Sequence, residues 1–353
     1  MLFGGINKET REGIKLRGDI NICLIGDPST AKSKLLKYIC NLIPNSVYTN
    51  GKGSSAAGLT AGVVKDSETG EFCIEAGALM LAVNGICCID EFDKMDPKDQ
   101  VAIHESMEQQ TISIAKAGIK ATLMTRASIL AVANPVNGRY DTTKTLKSNI
   151  DISSPMLSRF DLFFVILDEC NKYSDLNIAK HIVNLQKEGR INYNQDEDND
   201  PKRKFYSNND VSLYLRYAKN LKPKFRQDSA AVLRDEYVKL RTRDISSQKS
   251  SYRITIRQLE SLIRLSEALA KVHLSDVILP LFVKEAARLL KTSIIKVSLS
   301  DVEIDFDKEY LKEKGDENSI INEASSENVN KEILIERRKK IKKYKKRCHW
   351  SIY

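Results

Sequence analysis

One junction constrains this chain more than any other feature. INICLIG (20–26) is apolar but for one Asn and stops on a glycine, and AKSKLLKYICNLI (31–43) then repeats Leu, Ile and Cys at helical spacing. A short apolar run bounded by turn residues reads as a strand buried on both faces, and the period-3.6 run after it reads as an amphipathic helix. Only Asp27-Pro28-Ser29-Thr30 separates them. Strand, tight loop and helix N-terminus are therefore fixed in one unit, which belongs in an α/β architecture.

The rest of the first half repeats that alternation. SVYT (46–49), GICCID (85–90), RASILAVANP (126–135) and DLFFVILDE (161–169) are further apolar strands between helical stretches. They predict a parallel sheet covered on both faces. VVKDSETGEFCIE (63–75) and TISIAKAGIKATL (111–123) read instead as two hairpins, each with two extended arms about a polar or glycine-bearing tip. Neither is needed to complete the sheet, so both read as insertions. Residues 187–209 are polar and form a linker, after which VSLYLRYAKN, SAAVLRDEYVKLRTR, TIRQLESLIRLSEALAKVHL and PLFVKEAARLLKTSIIKV give four helices over 210–297. The 353-residue chain thus divides into an α/β domain (1–186), a linker (187–209), a small helical domain (210–297) and a tail (298–353).

Charge and cysteine usage narrow the function classes. Residues 337–347 hold nine basic residues and no acid, while residues 301–336 hold twelve acids against four bases. Of the net +9, residues 1–300 therefore keep +8, which suits a polyanionic partner. The basic run 337–347 reads as a localisation signal, a nucleic-acid patch or a solubilising tail. The whole tail after Val297, acidic and then basic, lacks a convincing core and predicts disorder or marginal helix. Seven cysteines are scattered without a CxxC pair, and Cys23, Cys87 and Cys88 fall in apolar strands. This predicts reduced thiols in a cytosolic or nuclear chain and neither a disulfide framework nor a zinc site. No apolar run approaches the roughly 20 residues of a membrane span, and the first residues lack a signal-peptide layout, so the expectation is a soluble intracellular protein.

Three short segments carry chemistry. Gly26-Asp27-Pro28-Ser29-Thr30-Ala31-Lys32-Ser33 has the strand-to-helix setting of a phosphate-binding P-loop, with Ala31 where the motif's second glycine usually stands. Backbone N–H groups at the helix start would cradle phosphate oxygens, Lys32 would neutralise them, and Ser33 would ligate Mg²⁺. The alternative is an ordinary strand-turn-helix. Asp90-Glu91 ends an apolar strand. Asp90 would hold the metal and Glu91 would polarise a water; otherwise the pair is a solvated strand end. Asn134 ends the next strand and suits orienting that water, though before Pro135 it also reads as a turn residue.

The order P-loop, DEFDKM (90–95), ANP (133–135), SRFD (158–161) resembles the AAA+ motor domain of the minichromosome maintenance (MCM) helicases, over residues 2–297. The tail does not resemble the family's C-terminal winged helix. The resemblance implies an AAA+ P-loop fold with a helical lid and an ATP- and Mg²⁺-dependent motor in a hexameric ring. It implies neighbouring MCM subunits as partners (subunits two and four), single-stranded DNA in the central channel, and a nuclear location. It also implies that the chain starts inside the motor domain at LFGG, without the segment that helps enclose adenine or the N-terminal collar domain. Arg159 of SRFD would be an arginine finger and Arg257 of TIRQLES a second sensor, each acting on a neighbour's nucleotide. Without the resemblance, Arg159 reads as a surface ion pair with Asp161, and Arg257 as a helix-surface charge. The two hairpins resemble channel-lining inserts, with Lys116 and, less directly, Lys65 as contacts to DNA phosphates; the bland reading of Lys116 is a solvated tip. Two other classes compete: a ring scaffold that binds ATP with little hydrolysis, and another AAA+ ATPase.

Overall fold

The computed structural model describes residues 1–13, 15–65, 71–116, 119–136, 138–141, 144, 146–168, 171–187, 206–246 and 254–298. In chain order the principal elements of the first half are β1 (Ile22–Gly26), α1 (Lys32–Leu42), β2 (Val47–Asn50), β3 (Ala61–Lys65), β4 (Phe72–Ala76), β5 (Ile86–Asp90), α2 (Pro97–Gln109), β6 (Thr111–Lys116), β7 (Ile119–Met124), β8 (Ser128–Ala133) and β9 (Leu162–Ile166). Then follow α3 (Lys172–Lys187), α4 (Asn208–Lys219), α5 (Gln227–Ser246), α6 (Ile256–Val272) and α7 (Pro280–Ser298).

Five strands form one parallel sheet in the order β9-β1-β8-β5-β2. Every residue of β5 and β8 is buried, which is why both read as unbroken apolar runs. Two cores flank the sheet. One holds Cys23, Ile25, Cys87, Ile89, Ile129 and Ala131; the other holds Leu24, Leu36, Ile86, Cys88, Leu130 and Val132. The alternation of these residues along the strands is the pleat itself. Burial pushes the Cys87 thiol up to about 12, so it is an inert apolar side chain.

Strand order reverses between β1 and β8, where successive connections leave toward opposite edges. In an open α/β sheet this switch point opens a crevice beyond the carboxyl ends of the strands. The 27–31 loop and Asn134 both emerge there, because β1 and β8 are parallel and in register from Leu130 against Ile22 to Ala133 against Ile25.

Each hairpin is a separate two-stranded antiparallel sheet, β3 with β4 and β6 with β7. Residues 66–70 and 117–118, the two tips, lie outside the described residues, as do most of the expected linker (188–205) and the tail from 299. Lys65 is exposed at the end of its arm.

The four C-terminal helices appear where periodicity placed them. Thr255 and Gln258 form a reciprocal capping box that starts α6. Leu262, Leu265 and Ala268 of α6 pack with Leu233, Leu240, Val283, Ala287 and Leu290, and this core also takes in Ile20 and Leu162 at the amino ends of β1 and β9. The amino-terminal segment is stitched to the same helix. Ile6 N–H donates to Glu267 Oε2 at 2.8 Å, and Lys271 Nζ donates to the Gly5 carbonyl at 2.7 Å. Among the described residues no helix is long and apolar enough to cross a membrane.

Candidate functional site

A cavity of about 330 Å³ opens at the switch point, lined by Pro28, Ser29, Thr30, Ala31, Lys32, Ser33 and Lys34 with Asp90, Glu91, Val132 and Asn134. Three segments separated by dozens of residues in sequence converge there because β1, β5 and β8 are adjacent parallel strands that end at one edge.

The loop shape is unusual for its residues. Ser29 (φ 68°) and Ala31 (φ 60°) both take the left-handed region. For a residue with a Cβ each such excursion costs about 1–2 kcal/mol. Ala31 is the residue that caps α1, with no side-chain capping bond. The amide dipoles at the start of α1 therefore face the cavity without a side chain to satisfy them.

Lys32 is 6 % exposed. Its Nζ donates to the Gly26 carbonyl at 2.8 Å, to the Asp27 carbonyl at 2.5 Å and to Thr30 Oγ1 at 3.2 Å. Burial pulls its pKa below the ordinary value, opposed by the carboxylates of Asp27, Asp90 and Asp93. Gly26 and Asp27, expected in the phosphate cradle, do not line the cavity. The Asp27 carboxylate turns away and accepts from the Tyr140 N–H (2.6 Å) and the Asp168 N–H (3.1 Å). It thereby ties the loop to the segment after Asn134 and to the end of β9. Burial opposes its ionisation, but these two N–H donors, with Arg139 and Lys32, bring its pKa below the usual value.

Asp90 is 6 % exposed. Tyr48 of β2 donates its phenol to Asp90 Oδ2 at 2.9 Å, and the Glu91 N–H donates to Oδ1 at 3.0 Å. Burial and that bond push the Tyr48 phenol up to about 12, so it remains a donor. Glu91 itself takes φ 51°. Gly51 N–H donates to the Asp90 carbonyl at 2.7 Å, and a Cβ on Gly51 would meet the Glu91 carbonyl at 2.6 Å, so only glycine permits this approach. Asp93 Oδ1 accepts the Asn134 N–H at 3.0 Å. Tyr48 and Asp93 were not singled out in the sequence, since their contacts cross between strands and no spacing encodes them. Phe92 of DEFD and Phe160 of SRFD stack edge-on at 5.8 Å, so both motifs carry an aromatic core anchor beside their polar residues.

Arg159 and Arg257 come together, but elsewhere. Both contact Glu108 of α2, Arg159 through Nε (3.0 Å) and Nη2 (2.5 Å), Arg257 through Nη2. The alternative partner for Arg159, Asp161, is instead buried against Arg264 (2.6 Å), Ser261 and the Asn21 N–H. Arg159 precedes β9, which runs parallel to β1 with Leu162 beside Ile22 and Ile166 beside Gly26. The arginine pair thus lies at the amino edge of the sheet, roughly 16 Å or more from the chain's own phosphate loop for a five-residue strand. The backbone of Lys116 ends β6, paired with Ile119.

For a divalent cation the described residues offer no group of three or more His, Cys, Asp or Glu side chains. Ser33 and Asp90, on one cavity, are the donor set a magnesium ion needs when phosphates and water complete its shell.

Residues 1–186 match the MCM P-loop domain and residues 209–294 the MCM AAA-lid domain. The chain is 58 % identical over 311 residues to the zygotic DNA replication licensing factor mcm6-A of Xenopus laevis, covering 88 % of this chain and 37 % of that protein. It is 59 % identical over 303 residues to the DNA replication licensing factor mcm6 of Schizosaccharomyces pombe, covering 86 % and 33 %. With that of Dictyostelium discoideum the identity is 58 % over 303 residues, covering 86 % and 34 %. The chain spans about a third of the length of these relatives. A P-loop domain on a parallel sheet, a helical lid that matches the family's lid domain and these identities together mean that the chain belongs to the MCM family, with relatives that carry the mcm6 name.

Proposed function

We propose that this chain is an ATP-hydrolysing motor subunit of a hexameric MCM DNA helicase that acts in the nucleus at replication. The convergence of loop 28–33, Asp90, Glu91 and Asn134 on one cavity carries the reading. In it, the N–H groups at the start of α1 receive the β- and γ-phosphates of ATP, and Lys32 exchanges its carbonyl partners for phosphate oxygens. Ser33 and Asp90 would hold Mg²⁺, which would neutralise charge on the phosphates. Glu91, off axis at the strand end, takes a proton from the attacking water, and Asn134, fixed through Asp93, orients that water. Asp27 braces the loop and does not touch phosphate.

Arg159 and Arg257 serve a neighbouring subunit's nucleotide. Their place at the amino edge of the sheet supports this, because they cannot reach the phosphate loop of the same chain. The partners are other MCM subunits, with subunits two and four as neighbours, and single-stranded DNA gripped by Lys116 and Lys65 on the hairpins. The test against a scaffold role is ATP turnover by rings in which this subunit alone bears Glu91→Gln. Loss of a general base costs roughly 10²–10⁴ at that site. A clear drop in turnover is expected; wild-type turnover would favour a subunit that binds ATP and scaffolds the ring.

A further inference from the structure

Glu108, in the last turn of α2, lies outside the phosphate cavity, and its two oxygens have different partners. Oε2 accepts Nε and Nη2 of Arg159, and Oε1 accepts Nη2 of Arg257. Each guanidinium has a second anchor: Arg159 Nη1 donates to the Pro155 carbonyl at 2.9 Å, and Arg257 Nη1 to Ser158 Oγ at 2.7 Å. Two like charges this close repel, and a carboxylate between them offsets that repulsion. Partial burial would raise the Glu108 pKa, but the bond and charge of Arg159, then Arg257, bring it below the usual carboxylate value. His104, one turn earlier, has its pKa lowered by burial and by Arg159, so it adds no third cation at neutral pH.

The unit keeps capacity for an anion. Arg159 meets Glu108 through the side edge of its guanidinium, which leaves a hydrogen on each terminal nitrogen free of any bond among the described residues. The triad retains a net positive charge. Glu108 and Arg257 are 43 % and 37 % exposed, so it opens to solvent on a face away from the chain's own nucleotide cavity.

We propose that Glu108 is a positioning residue, whose carboxylate holds Arg159 and Arg257 at a fixed spacing as one two-pronged receptor for the terminal phosphate of a nucleoside triphosphate carried by the adjacent subunit. This rests on the reading that both arginines act in trans. A carboxylate is required because each oxygen must accept. Glutamine presents one acceptor and one N–H₂, so it can hold one arginine and turns a donor toward the other.

The experiment uses the complex of this subunit with the neighbour whose phosphate loop it faces, carrying Glu108→Gln, Glu108→Asp, Arg159→Ala or the Gln and Ala changes together. Glu108→Gln is expected to lower kcat for ATP by roughly ten- to a hundredfold, the scale of a small misplacement of a catalytic group. KM should hold, since the neighbour's loop supplies ground-state binding. Glu108→Asp keeps the charge but withdraws it by one methylene, so its kcat should fall between. On the Arg159→Ala background Glu108→Gln should add little, because the two act as a unit. The unfolding midpoint should fall only slightly in Glu108→Gln, since the lost carboxylate is half exposed and the unmasked repulsion of the two arginines is screened by solvent. Wild-type kcat in Glu108→Gln beside a crippled Arg159→Ala would overturn the inference, and so would losses that simply multiply. A silent Arg159→Ala would overturn the trans reading itself.

Discussion

Ala31 shows that the loop shape does not depend on the motif's second glycine. It stands where a P-loop usually has a second glycine, and the backbone there is left-handed, with φ 60°. The loop conformation holds without that glycine, with the strain carried by Ala31 and Ser29. Replacing Ala31 with Gly should therefore stabilise the chain by about 1 kcal/mol, a gain net of the extra freedom glycine has when unfolded. Denaturant unfolding with an unchanged m-value measures it; a loss of stability would mean that the left-handed conformation is not what limits the loop. Asp27 is the opposite case. Its place in the motif suggested a phosphate contact, but its carboxylate is spent on the Tyr140 and Asp168 N–H groups. Sequence spacing reports that a loop exists and not which way a side chain in it turns.

At the scale of elements, the lid is fastened to the sheet by a buried ionic knot. Asp161, just before β9, meets Arg264 and Ser261 of α6, with Arg17 at 3.6 Å. Burial alone would raise its pKa; Arg264 and Arg17 outweigh that and hold it below the usual value. A carboxylate with a depressed folded pKa contributes stability that is complete above its unfolded pKa of about 3.9 and is lost as pH falls through the folded value. Stability should therefore drop steeply in acid below about pH 4. Asp161→Asn should cost roughly 3 kcal/mol, because buried Arg264 keeps only the more exposed Glu260, at 3.5 Å, as a counter-charge, and should flatten that acid limb. Chemical denaturation at a series of pH values reads both, and an acid limb as steep in the variant as in wild type would assign the knot no such role. The β6–β7 hairpin yields a separate expectation. Its arms join α2 to β8, the strand that Asn134 follows. Lys116→Ala in an assembled ring should weaken single-stranded DNA binding about equally across sequences and lower the salt slope by roughly 0.7 per lost contact. A salt titration with an unchanged slope would leave Lys116 a solvated residue. The strands were legible because both their faces are apolar. Tyr48, Asp93 and Glu108 were not, because each acts on a residue of another element, Glu108 on one 149 positions away.

For the whole molecule, one sheet separates two clusters of polar side chains. Its carboxyl edge holds the phosphate loop, Asp90, Glu91 and Asn134, and its amino edge holds Glu108 with Arg159 and Arg257. A parallel sheet with all strands pointing one way gives such a molecule two different edges, and head-to-tail association of such subunits makes a ring where the rotation between them closes. Alone, the chain should turn ATP over slowly, since a trans arginine supplies roughly 10³–10⁵ in rate; turnover should rise with subunit concentration. The division of labour is tested most directly by ATP affinity of the chain by itself, measured by calorimetry for wild type, Lys32→Ala and Arg159→Ala. Lys32→Ala should weaken binding at least tenfold, about 1.4 kcal/mol, while Arg159→Ala should leave it unchanged. Equal affinity in wild type and Lys32→Ala, or a comparable loss in Arg159→Ala, would contradict a chain that binds its own nucleotide at one edge and reaches a neighbour's from the other.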